Sequence, residues 1–152
     1  MGTVSNRQTP ADYDSDMKLA KSYGIDAFAL NIGSDPHARQ QLDLAYQSAK
    51  TNGMKVFISF DFASFALDCA TVASLISDYG SKPGQLKVDN KIFVSSFLGD
   101  GLDVADLRAK SSVELFFAPN FYPKKTATCD GIDAALNWMV RDRNAHTLVT
   151  KS

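Results

Sequence analysis

The sequence has little of what usually announces a function. It lacks long apolar runs: Val56–Phe60 and Leu115–Pro119 end after five residues each, where a bilayer span needs about twenty, so no membrane partner is expected. It lacks an excess of charge. Sixteen basic and seventeen acidic side chains leave a formal net charge of −1, which gives neither nucleic acid nor an anionic surface a footprint. Cysteine is scarce. Cys69 and Cys129 lie sixty positions apart, and a disulfide or two buried thiols are both compatible with that, so the redox compartment stays open. The two histidines, His37 and His146, have no ligand spacing with each other or with the cysteines, so no metal is expected. No phosphate loop and no G-x-S-x-G are present, and Gly99-Asp100-Gly101 is a G-x-G without its third glycine, so no cofactor is expected either. No Asn-x-Ser/Thr sequon occurs. Residues Met1 to Asn6 have no basic and apolar regions, so no signal peptide is expected there, and Asn6 stands where a myristoylation motif wants Ser or Thr.

What remains is an ordinary globular composition, 45% apolar and 22% charged over 152 residues, enough for one domain with a real core. Thr9-Pro10 predicts a helix start, with Tyr13, Met17 and Ala20 on one face and Gly24 as a left-handed stop. Ile25–Ile32 follows as an apolar run suited to a strand covered on both faces. The unit then repeats. Asp35-Pro36 is expected to cap a helix with Ala38, Leu42, Ala45 and Ala49 inward and Gly53 at its end. Lys55–Phe60 is the next strand, and Asp68 opens a third helix with Val72, Leu75, Ile76 and Tyr79 inward, closed by Gly80. Leu86–Val88 and Ile92–Ser96 read as a hairpin around Asp89-Asn90-Lys91, its second arm doubling as a strand of the main sheet. Asp103–Ala109 is a short helix and Glu114–Pro119 another buried strand. The stretch from Asp130 to Met139 suits either a last helix or the entry to a further strand.

Helix and strand alternating at this spacing predict parallel βαβ units. Four or five strands are too few for the eight of a closed barrel, and periodicity alone allows an open doubly wound sheet equally well. In either architecture, sites form at the C-terminal edges of the strands. Those edges carry Asn31 and Gly33, Asp61, Phe97 to Asp100, and Asn120, with Phe60, Phe62, Phe65, Phe97, Phe121 and Tyr122 around them. Aromatic planes beside carboxylates and amides suit sugar rings, whose faces are C–H and whose rims are hydroxyl. Each residue also has a plainer use: Asp61 can cap a turn, Asn31 and Asn120 tolerate tight turns, Asp100 fits a loop, and phenylalanines most often fill cores.

Five blocks share one further property. Ala11–Met17 (ADYDSDM), Gly24–Asn31 (GIDAFALN), Val56–Phe62 (VFISFDF), Phe93–Phe97 (FVSSF) and Phe116–Phe121 (FFAPNF) resemble, in that order, glycoside hydrolase family 71. These are fungal endo-α-1,3-glucanases, also called mutanases. The resemblance implies an incomplete TIM (β/α)₈ barrel, roughly strands 2 to 5 or 6, over residues 1–139. Residues 140–152 are expected to be a divergent tail foreign to the fold. It implies α-1,3-glucan as substrate, inverting hydrolysis by a pair of carboxylic groups, and an extracellular or cell-wall setting. Asp61 falls on the family's strand-end aspartate in the cleft, and Asn31 and Asn120 fall on cleft residues, all substrate-binding. The family's acid and base lie on later strands, so no catalytic residue is assigned here, Asp130 and Asp133 are not substitutes, and the chain is expected to be an inactive fragment, with a non-enzymatic α/β module or glucan-binding remnant as the alternative. Phe28, Leu30 and Phe57 are expected to face the barrel interior, and open sheet edges to favour self-association.

Overall fold

The computed structural model describes residues 6–66, 68–121 and 131–137. Helix α1 (Ala11–Ser22) leads to strand β1 (Ala27–Ile32), then α2 (Ala38–Asn52), β2 (Lys55–Asp61), α3 (Cys69–Gly80), β3 (Lys87–Val88), β4 (Lys91–Phe97), α4 (Val104–Lys110) and β5 (Leu115–Asn120). β1, β2, β4 and β5 form one parallel sheet in chain order, and β3 pairs antiparallel with β4. The expected hairpin is present: Asp89 and Asn90 have φ of 50° and 65°, a pair of left-handed residues that matches the twist of the two arms.

All four helices bury their apolar stripes against the same side of this sheet. Tyr13, Met17, Leu42, Ala45, Ile76, Tyr79 and Leu107 belong to one cluster with Leu30, Ile32, Val56, Ile58, Phe60, Val94, Leu115 and Phe117. Strand side chains alternate between faces, so Leu30 and Ile32 share the helix side with Phe28, which also packs on that cluster. This corrects the expectation for Phe28 and Leu30: they face the helices, and only Phe57 of the three lies on the opposite face. β1 alternates Ala27, Ala29 and Asn31 with the larger Phe28, Leu30 and Ile32, and it is the larger set that packs on the helices. A doubly wound sheet needs helices on both faces, and the described helices occupy one.

The helix ends show which local signals hold. Behind α1, Ile25 N–H donates to Ala20 O and Gly24 N–H to Lys21 O, both at 3.0 Å, with Gly24 at φ +75°. This Schellman closure recurs after α2, where Met54 N–H meets Ala49 O at 2.9 Å and Gly53 has φ +63°. Asp68 caps α3 as expected, accepting from Ala70 N–H and Thr71 N–H at 3.1 and 3.3 Å. Two expectations fail. Thr9 does not cap α1; instead the Asp12 carboxylate folds back onto Gln8 N–H, Thr9 N–H and Thr9 Oγ1. α2 starts after His37 rather than at Pro36, with Ala38 N–H on Asp35 O. Gly80 is the last residue of α3, as expected, and lies close to β4: a Cβ there would sit 3.1 Å from Ile92 Cγ1.

The segment 131–137 is not a helix. Asp133 N–H donates to Phe117 O at 3.0 Å and Leu136 N–H to Pro119 O at 3.1 Å, which lays it alongside β5. Cys69 is a free, buried thiol on Asp103 O; Cys129, Tyr122, Asp130 and the tail 140–152 lie outside the described residues.

Candidate functional site: the sheet face opposite the helices at the strand exits

Register fixes which side chains meet on the face away from the helices. Asn31 pairs with Ser59, Ser59 with Ser95, and Ser95 with Ala118, making one layer across the four parallel strands. One pleat toward the C-terminal edge, Asp61 pairs with Phe97 and Phe97 with Asn120. One pleat the other way, Phe57, Phe93 and Phe116 form a continuous aromatic floor, with ring centroids 4.6 Å apart for the first pair and 5.5 Å for the second. The three sites expected from sequence, Asp61, Asn31 and Asn120, are therefore on one face and within two layers of each other. Asn120 is buried, while Asn31 and Asp61 are half-buried.

Asp61 also has the plainer role. Its Oδ1 accepts Ala63 N–H at 3.1 Å, and its carbonyl accepts Ser64 N–H and Phe65 N–H. That turn reverses the chain at the edge and fixes the carboxylate where β2 ends. The neighbouring exit is under backbone strain. Leu98 takes φ 59°, a left-handed conformation that costs a side-chain-bearing residue about 1–2 kcal/mol. It is held there by Leu98 N–H on Asn120 O at 3.0 Å and by Ser96 Oγ–H on Leu98 O at 2.8 Å.

The expected aromatic ring around the site is mostly elsewhere. Phe60 is fully buried on the helix side, Phe62 and Phe65 pack on it at 6.0 and 5.5 Å, and Phe121 packs on Phe117. Of the five described, Phe97 alone lies in the Asp61 layer. The rings that do line this face are Phe57, Phe93 and Phe116. Counting by twos from Asp61, Phe97 and Asn120 would have found them, once the strand ends were aligned. A cavity of about 230 Å³ beside the rim, reached past Gly33, Asp35 and Phe65, lies on the helix side, since Leu42 and Leu75 form part of its wall.

Asp133 is occupied structurally. Arg108 Nη2 reaches its Oδ2 at 2.5 Å, and Phe117 N–H donates to the same oxygen at 2.9 Å. Among the described strand residues Asp61 is the sole carboxylate, and no group of acids, histidines and cysteines among the described residues could hold a metal.

With this geometry in place, comparison settles the family. The sequence matches glycosyl hydrolase family 71 along residues 1–152. The chain belongs to this family. A mutanase of Penicillium rubens is 34% identical over 144 residues, covering 91% of this chain and 32% of that protein. In Schizosaccharomyces pombe, the glucan endo-1,3-alpha-glucosidase agn1 is 36% identical over 94 residues, 60% of this chain and 22% of the relative. An ascus wall endo-1,3-alpha-glucanase of the same yeast is 24% identical over 137 residues, 80% of this chain and 31% of the relative. The chain thus spans a third or less of each of these relatives.

Proposed function

We propose that this family 71 chain supplies part of the substrate groove of an α-1,3-glucan hydrolase, with Asp61, Asn31 and Asn120 as substrate-binding groups, and that by itself it binds glucan without cleaving it. The observation that carries this is the register: an aromatic floor, a layer of small polar side chains and a rim of Asp61, Phe97 and Asn120 stacked at the C-terminal edge of parallel strands. Rings beneath and hydrogen-bonding groups above match the two sides of a pyranose. The relatives' names supply the linkage, α-1,3-glucan, and one of them its place in an ascus wall.

Four parallel strands in chain order with helices on one side are consecutive units of a singly wound sheet, which supports reading them as part of a (β/α)₈ barrel. Inverting hydrolysis needs two carboxyl groups across the scissile bond, and the described strands offer one. The test uses the 152-residue chain on insoluble α-1,3-glucan. Retention on the polymer is expected, weakened about tenfold by Asp61→Asn, as for loss of a charged hydrogen-bond acceptor, with no reducing sugar released. Retention unchanged in the variant would remove Asp61 from the groove, and sugar release above background would overturn the assignment of binding without cleavage.

A further inference from the structure

Two serines face each other in the middle layer of the face opposite the helices and differ in one respect. Ser95 Oγ–H donates to Ala118 O at 2.7 Å. Ser59 is equally buried, at 0% exposure, yet among the described residues its Oγ has no hydrogen-bond partner. Native interiors rarely leave a hydroxyl so, because desolvating it without a partner is costly. Alanine would fit the same space on β2 without that cost. Where such a group is held at a strand's working end, beside candidate ligand groups, a partner that arrives with the ligand explains it best.

Ser59 is two residues before Asp61 on the same strand face, about 6–7 Å along the strand, and is the cross-strand partner of Asn31. Its hydroxyl turns about a single side-chain bond, and it can both donate and accept. The Phe57–Phe93 pair lies one pleat to one side of it and Asp61 one pleat to the other.

We infer that Ser59 is a further substrate-binding residue, whose hydroxyl bonds a hydroxyl of the sugar ring lodged between Asn31 and Asp61. This rests on the groove reading above and adds a residue that neither the sequence motifs nor the strand ends single out. The hydroxyl is kept at the expense of the free protein's stability, and that gives the inference its own readout.

The experiment measures two quantities on the full chain, the urea midpoint and the affinity for a soluble α-1,3-linked glucose oligosaccharide, in wild type, Ser59→Ala and Asp61→Asn. For Ser59→Ala the midpoint is expected to hold or rise while affinity falls about threefold to tenfold, the effect of one neutral hydrogen bond. A lower midpoint for Ser59→Ala would mean that the hydroxyl serves the fold, and the inference falls whatever the affinity. Unchanged affinity in Ser59→Ala alongside weakened Asp61→Asn would remove Ser59 and leave the groove standing. No binding by the wild type would sink the groove reading itself, and Ser59's ligand with it.

Discussion

Arg108 and Asp133 lock the segment beyond β5 to the rest of the sheet. The guanidinium donates to Gly131 O from Nε and Nη2 at 3.0 and 2.7 Å, to Leu115 O from Nη1 at 2.9 Å, and to the Asp133 carboxylate. Asp133 in turn holds Phe117 at both ends, accepting its N–H on Oδ2 and donating its own N–H to Phe117 O. One ion pair therefore sets the register in which 131–137 joins β5.

Burial works to raise the Asp133 pKa, but the Phe117 N–H bond and the Arg108 and Lys91 charges outweigh it and hold the carboxyl below the usual range. A depressed folded-state value contributes stability that is present above the unfolded pKa of about 4 and lost as pH falls through the folded value. Asp133→Asn is expected to cost about 1–3 kcal/mol in urea unfolding at pH 7 and to flatten the acid limb of stability below about pH 4. An acid limb identical to the wild type's would show that the clamp is not formed.

Gly99 and Gly24 separate strain from collision. Both have positive φ, +98° and +75°, but a Cβ on Gly99 would fall 2.3 Å from Phe62 Cδ2, whereas one on Gly24 meets nothing within 4 Å. Gly24→Ala should cost about 1 kcal/mol, the left-handed penalty alone. Gly99→Ala should cost about 1–3 kcal/mol from strain and more from the displaced ring. Equal losses in thermal or urea unfolding would mean that Phe62 does not pack there.

Tyr46 and Gln85 form a buried polar joint between α2 and the approach to the hairpin. Tyr46 O–H donates to Gln85 Oε1 at 2.5 Å, and Gln85 Nε2 donates to Leu86 O and Phe93 O at 2.7 and 2.9 Å. Burial, with Tyr79 nearby, pushes the Tyr46 hydroxyl far above its ordinary value, so it stays a donor at any working pH. Tyr46→Phe strands the Gln85 oxygen and is expected to cost about 1–3 kcal/mol. Gln85→Leu also takes the donor from Leu86 O and Phe93 O, so the double mutant should lose more than Tyr46→Phe but less than the sum of the two single losses; additive losses in the double-mutant cycle would show the two side chains act independently.

The alternation of elements, the inward stripes of α1, α2 and α3, the Asp89-Asn90 turn and the Gly24 and Gly53 closures were all legible in the sequence. Each depends on residues within one turn or one helix face, where spacing alone dictates geometry. The strand-end position of Asp61, Asn31 and Asn120 was legible for the same reason, since a strand stops where its apolar run stops.

What the tertiary structure decided is everything that depends on which face of a strand meets which neighbour. β1 and β2 each put large apolar side chains on the helix side and small or polar ones on the other, apart from Phe57, but which of the two faces meets the helices was fixed only by packing. Ser59 carries no local signal at all; it became informative only when pairing with Asn31 and Ser95 placed it in a layer and left its hydroxyl without a partner among the described residues. Gln85 and Asp133 likewise gained their roles from groups 39 and 25 positions away in the chain. Such contacts follow from strand register and helix packing, which the chain settles collectively rather than residue by residue.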